Sequence, residues 1–269
     1  MRLRIASKLR KYEAVGVITV RHQLAYVTDF ILRSLFLLLI LYVFIQLWSA
    51  AYAGDTEAVI AGFTLQQIVW YLVFTESLTM ASPRVAEKVE AEVKQGDIAT
   101  RLLRPLSYIG YHLAAYLGEA ALRFFVHLAV GSLIAWLFVG PPDFGLGLGA
   151  LALLAPGSFI VAFLLLMTVA LCAFWVEETR GLEFVLQKLK FTVGGMLLPL
   201  EMMPDWLQSI CAWLPFQAVL YVPARMAVSY DAELLRTYLL IQWGWVAALG
   251  VVVMLMYRRG VSKLHVNGG

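Results

Sequence analysis

Charge is scarce in this chain. Asp, Glu, Lys and Arg make up 14% of its 269 residues, against roughly 25% in a soluble domain. Hydrophobic residues reach 61%, where a soluble domain has about 45–50%. So little charge cannot clothe a water-facing surface, which excludes an ordinary soluble protein. Cysteine is nearly absent. Cys172 and Cys211 stand alone, which rules out a disulfide framework or a metal-ligand spacing. Both read as small buried apolar residues. Phosphate-binding G-x-x-x-x-G-K-[ST] is missing, and the glycines at 140–149 precede no lysine. H-E-x-x-H and G-x-S-x-G are missing too. Internal repeats and low-complexity linkers are also lacking. One domain, 1–269, is therefore expected, and an inverted-repeat transporter gains no support.

Long apolar runs fill the space left by these absences. Six stretches are candidates to cross a bilayer: about 27–48, 60–80, 111–139, 151–176, 189–200 and 238–257. The fifth is short against the ~18–20 residues that a span requires. In lipid every backbone amide must be paired internally, so the spans are expected as helices. Ala51-Tyr52-Ala53 resembles a signal-peptidase site. The long segment before the first run, and the length of that run, favour an uncleaved span.

Lys and Arg set the orientation. All of the 21 except Arg33, Arg123, Arg225 and Arg236 fall in the N-terminal segment, the second-to-third and fourth-to-fifth connections, and the tail. Residues 49–59 and 140–150 hold no Lys or Arg. Both termini are therefore expected on the cytoplasmic side. The net charge of +3 follows from this topology and gives no reason to invoke nucleic acid.

Three connections carry pattern of their own. Residues 1–25 read as an interfacial helix, with Ile5, Leu9, Tyr12 and Gly16 near one face and basic residues elsewhere. A solvated basic tail is the plainer alternative. Residues 82–105 form the one sizeable polar insertion. Ser82-Pro83 is a helix start, Val85, Val89 and Val93 make a stripe, and Glu90 and Lys94 an i,i+4 pair. Gly96 closes that helix, Asp97 opens a second, and Pro105 stops it. In 200–222, Pro204-Asp205-Trp206 starts a piece that Pro215 ends, too short to span yet too apolar for an exposed loop. It reads as a pair of helices dipping into the outer leaflet, with Trp206, Trp213 and Tyr221 at the interface. A fully buried short helix is the alternative.

Two of these segments carry a resemblance. The outer run with Pro199, Pro204, Trp206 and Pro215, and the inner run Glu92-Val-Lys-Gln-Gly96-Asp-Ile98-Ala-Thr-Arg-Leu102-Leu103-Arg104-Pro105, resemble the type-2 ABC-transporter permease family. That resemblance implies an all-α membrane protein. It would have six transmembrane helices, an N-terminal interfacial helix, a cytoplasmic coupling helix between spans two and three, and a re-entrant outer hairpin between spans five and six. It also implies a dimer with a second permease, identical or paralogous, on two cytoplasmic ATPases that hold ATP and Mg. The chain would be no enzyme by itself. It would sit in the bacterial inner membrane as an exporter's transmembrane subunit. Docking would use Val85, Val89, Glu92, Val93, Gly96, Ile98, Leu102, Leu103 and Arg104, with the valine stripe as the knob. Pro199, Pro204, Trp206 and Pro215 would belong to an outer gate. Spans two and five would line the pathway, offering Thr64, Gln66, Gln67, Thr75 and Thr192 beside an apolar wall that suits a hydrophobic or amphiphilic cargo. Drug, lipid, glycan and peptide all remain open as cargo.

Charge inside the spans is the last signal. Glu119, Arg123 and His127 share a face of span three, Asp29 and Arg33 repeat the spacing on span one, and Glu76 lies in span two. A charge at the bilayer centre costs about 2.5–3.5 kcal/mol on insertion scales, so these groups are expected to face protein or water. An ionic network joining spans one to three follows as an expectation, either a packing staple or a gate. A hinge at Pro156-Gly157 is a further option. The competing function is an intramembrane lipid-modifying enzyme using His112, Glu119 and His127. A subunit that only pairs with an active permease is a third.

Overall fold

The computed structural model describes residues 2–25, 27–53, 55, 58–142 and 144–267; the side chains of residues 2–9, 27–30 and 264–267 lie outside that description. The helices in chain order are α1 (Arg2–Leu24), α2 (Val27–Ala51), α3 (Leu65–Met80), α4 (Val85–Lys94), α5 (Asp97–Leu102), α6 (Tyr108–Val139), α7 (Gly147–Leu171), α8 (Arg180–Val193), α9 (Asp205–Ala212), α10 (Tyr221–Val228) and α11 (Ala232–Asn267). Short 3-10 turns cover Cys172–Phe174, Leu200–Met202 and Pro215–Ala218. An antiparallel ribbon, β1 (Val59–Ile60) with β2 (Phe63–Thr64), turns through Ala61 and Gly62, both at positive φ.

Among the described residues, four helices are long and apolar enough to cross a membrane: Ile31–Ala51, Tyr108–Val139, Gly147–Phe174 and Ala232–Lys263. Burial differs sharply among them. Two thirds (67%) of the apolar window of α7 is covered by the rest of the chain, against 22% for α2 and 17% for α11. The bundle therefore forms around α7 and around α3, which is buried almost continuously from Ile68 to Leu78. α2 contributes one seam, Leu37, Leu41 and Ile45, four residues apart. That seam reaches α6 where Gly131 leaves room: a Cβ there would meet Val73 of α3 at 3.0 Å and Leu41 at 3.3 Å.

Two expected spans are drawn differently. The run 60–80 opens with the ribbon, so α3 keeps 16 residues, or about 24 Å at 1.5 Å per residue. The run 189–200 does not form one helix. α8 starts nine residues earlier, at Arg180, and stops at Val193. Gly194 and Gly195 end it; Gly195 takes φ +71, a conformation open to glycine. The hydroxyl of Tyr71 donates to the Gly195 carbonyl and that of Thr75 to Met196 O.

Pro156 and Gly157 make no break, because α7 runs through both. Gly157 is there for packing. A Cβ would lie 2.1 Å from Gln242 Oε1 of α11. Gln242 Nε2 sits 3.2, 3.1 and 3.0 Å from Leu154 O, Ser158 Oγ and Ala218 O. One buried amide thereby ties α7, α11 and the Pro215–Ala218 turn.

The molecule has two unlike ends. At one, α1, α4, the start of α6, the start of α8 and the tail of α11 gather: Tyr12 accepts from Ser107 N–H, Glu90 bonds Thr179, and Tyr108 stacks on Tyr257 at 5.7 Å. The same end carries Arg84, Lys88 and Lys94 at α4 and Arg101 on α5, and Lys263 stands over the Trp175 ring. At the opposite end Gln66 donates to Val139 O and Pro141 O, Trp70 to Gly140 O and Gln67 to Val228 O. α1 lies along the first turns of α6 with almost no clearance. A Cβ on Gly118 would come 2.7 Å from Gly16 O, a backbone atom that cannot swing aside. Gly118→Val should therefore cost about 1–3 kcal/mol through overpacking and release α1. Tryptic cleavage after Arg10, Lys11 and Arg21 should quicken while α6 and α7 stay protected; unchanged cleavage would contradict the close contact.

Candidate functional site

The α4–α5 hairpin is held by two buried carboxylates. Glu92 Oε2 accepts from the Tyr108 hydroxyl at 2.8 Å and lies 3.0 Å from His112 Nε2, both on α6. Glu92 Oε1 pairs with Arg101 of α5 at 2.9 Å. Burial pushes the Glu92 carboxyl up, but His112, Tyr108 and Arg101 outweigh it and hold it below the usual carboxylate range. Glu90 reaches the other way. Its Oε2 accepts from the backbone N–H of Thr179 at 3.2 Å and from the Thr179 hydroxyl, at the start of α8. Its Oε1 pairs with Lys94 at 2.5 Å. Between these anchors Val85, Ala86 and Val89 face inward, α4 packing against α7.

α4 begins at Val85, two residues after the expected start. Ser82 caps nothing, its hydroxyl standing 3.0 Å from that of Tyr116. Gly96, at φ +77, makes the corner between α4 and α5. The valine stripe is spent inside the molecule: Val85 is 5% exposed, and Val89 and Ile98 are fully covered. Val85, Val89, Glu92 and Ile98 are thus structural and present no contact surface, while Val93 and Leu102 are half-buried. The reason is that an apolar stripe facing the bundle gains more than one facing water. Gly96, Leu103 and Arg104 remain on the outside, with Leu103 87% exposed.

Among the described residues, part of the expected intramembrane network is seen. Arg123 pairs with Glu119 on its own helix at 2.5 Å. Arg33 joins these two on the wall of one cavity. Glu76 is fully buried, and neither of its oxygens has a hydrogen-bond partner among the described residues, so no Glu76–Arg123 pair forms there. His127 is buried on the Arg123 face of α6. The side chain of Asp29 lies outside the described residues. The trio needed by a lipid-modifying enzyme is already committed: His112 to Glu92, Glu119 to Arg123, and His127 to the interior.

The polar groups expected along spans two and five are also engaged. Thr64 and Gln67 form the capping box of α3, Gln66 and Gln67 tie α3 to the ends of α6 and α10, and Thr75 bonds Met196 O. Thr192 is exposed and donates to Lys188 O. Past the α8 break the chain passes Pro199, at the head of the Leu200–Met202 turn, and Pro204, just before α9. Pro215 opens the next turn. Trp206 and Trp213 stand outward at 65% and 84% exposure, whereas Tyr221 is buried. Its hydroxyl donates to Glu201 Oε1 at 2.8 Å, which also takes Arg225 Nε at 3.1 Å. The backbone N–H of Tyr221 meets Gly194 O, so the segment leaves and rejoins the bundle at one level.

Sequence reasoning missed the Glu201–Arg225–Tyr221 cluster and the Glu90–Thr179 tie. The first had a signal, since opposite charges were isolated in an apolar stretch. The second had none, because its partners are 89 residues apart.

Residues 32–268 match the model of a family described as ABC-2 family transporter protein. A Bacillus subtilis (strain 168) protein bearing the name transport permease YvfS is 29% identical over 194 residues, which cover 69% of this chain and 73% of that one. The family match runs from the first turns of α2 to the end of α11, through the α4–α5 hairpin and the α8 break. This multi-pass membrane protein belongs to the ABC-2 transporter family, as the membrane subunit of an ABC transporter.

Proposed function

We propose that the chain is the permease of an ATP-driven exporter. The basic end faces the cytoplasm, six spans cross the inner membrane, and a separate ATPase grips the α4–α5 hairpin. One observation carries the reading. The hairpin is rigidly fastened on its inner side by Glu90 and Glu92, yet it offers an apolar residue to solvent at Leu103. A single exposed leucine is ordinary on any surface; what supports the reading is its place on a hairpin fastened to α6 and to the head of α8 at the positively charged end. Positive charge at the same end supports the orientation.

In this reading ATPase closure pushes on Gly96, Leu103 and Arg104. Glu92 passes the push to α6, Glu90 to α8, and the packed valines to α7. A second permease, a copy or a paralogue, completes the pathway along the exposed faces of α8 and α2. The break after α8 and the hairpin through Pro204, Trp206 and Pro215 serve as the outer gate, and ATP and Mg stay on the partner. Cargo leaves the cytoplasmic leaflet or the cytoplasm for the outside.

Three expected outcomes follow. An ABC ATPase should co-purify with the affinity-tagged chain in mild detergent, and an active chain without one would refute the assignment. Leu103→Asp should abolish that capture and ATP-dependent transport while the bundle still folds; Val89→Asp should instead lower stability, by about 1–3 kcal/mol or more. Capture lost equally in well-folded samples of both would count against the outward face as the contact. Glu92→Gln should keep ATPase binding yet lower transport per ATP hydrolysed, since a neutral amide leaves Arg101 and His112 without their charged partner. Unaltered coupling in that variant would remove Glu92 from the force path.

A further inference from the structure

Among the described residues, two neighbouring cavities at the basic end of the bundle share Arg33, Pro83 and Arg84 as a common wall. The larger holds about 310 Å³ between the ends of α2, α3 and α8 and the loop past Gly194. Its rim carries Arg33, Arg84, Lys188 and Lys190, and among the described residues Glu183 is the one acid on it. That acid is partly engaged, accepting from Gln187 at 3.3 Å. Arg84 stands 3.8 Å from Glu87 across an exposed pair, too loose to neutralise it firmly. The floor is of opposite character: Leu166, Phe191, Met196 and Leu220. The smaller cavity, about 210 Å³, adds Lys88 and Arg123 against Glu119.

The cleft therefore couples an excess of positive charge at its mouth to an apolar bed running toward the level of the α8 break. Its volume falls at the lower edge of the usual range for ligand sites. Arginine and lysine together match the several acceptor oxygens of a phosphate. A free anion would have no use for the bed, and a neutral apolar molecule would have none for the cationic groups of Arg84, Lys188 and Lys190. We infer that this cleft binds an amphiphile with a compact phosphate-type headgroup, the head among Arg33, Arg84, Lys188 and Lys190 and the chain over Phe191, Met196 and Leu220. The inference rests on the transport reading only in making such a molecule the cargo class; the binding itself stands or falls alone.

The test uses the full chain in phosphatidylcholine nanodiscs with a phosphatidic acid bearing a photoreactive group on its acyl chain. Labelling should map to the peptides around Phe191, Met196 and Leu220. It should exceed that of the matching phosphatidylcholine probe by about tenfold, the gain expected from charge-assisted contacts. The double substitution Lys188→Gln, Lys190→Gln should abolish the difference, and Lys188→Arg, Lys190→Arg should retain it. Size-exclusion profiles and protection of α7 from protease report whether each variant is folded. Equal labelling by the two probes, or undiminished labelling in a folded Gln variant, overturns the inference. So does displacement of the probe by inorganic phosphate at the concentration of the probe, which would mark a site for a soluble anion. Since the nanodiscs contain no ATPase, a positive result survives failure of the exporter assignment, and a negative one leaves that assignment standing.

Discussion

Glu90 and Glu92 are carboxylates taken out of water on opposite sides of one short helix. Removing such a charge from water costs several kcal/mol unless partners replace the lost hydration. Here the partners come from three directions: Tyr108 and His112 on α6, Arg101 on α5, and Thr179 at the head of α8. Each carboxylate can be satisfied only if α4 sits at one height and one rotation. The same placement drives Val85 and Val89 onto α7 and turns Leu103 outward. A ten-residue helix too short to be stable in isolation thereby becomes a fixed joint between the spans and whatever meets the hairpin.

The other end obeys the same rule with neutral groups. Gln66, Gln67 and Trp70 use their donors on carbonyls that α6 and α10 leave open at their ends. In an apolar surround an unpaired carbonyl is costly, so these residues act as glue. α3 is consequently clamped at its opening turns, and again at mid-length by Tyr71 and Thr75 on the chain past α8. Within α8, among the described residues, Glu183 and Leu186 are the buried side chains, with Leu182, Phe184, Val185 and Leu189 left outward. Contacts are unevenly distributed: α3 and α7 form the rigid centre, and α8 with its following loop is fastened at a few points. In the proposed exporter that difference assigns the moving part to α8, beside the cationic cleft.

Much was readable along the chain where local chemistry decides. Apolar length marked α2, α6, α7 and α11, because each needs only its own composition to qualify as a span. The corner at Gly96 and the interruptions at Pro199, Pro204 and Pro215 were legible, since glycine and proline act on their own backbone. The Glu119–Arg123 pair was legible because i,i+4 neighbours meet on any helix. Errors arose where a residue had two possible partners. The valine stripe could have faced a second protein or the bundle, and periodicity is the same for both. Glu76 and Arg123 belong to neighbouring spans, but sequence gives no rotation, and Glu76 turned into the packed interior without meeting Arg123 among the described residues.

The amino-acid sequence alone determined that this is a multi-span helical protein, because hydropathy is a property of residues taken one at a time. Tertiary structure alone decided which face of α4 is hidden, where α8 stops, and that Arg33, Arg84, Lys188 and Lys190 share one cleft. Those facts depend on which distant segments touch, and contact between residues 50 to 160 positions apart leaves no trace in local spacing.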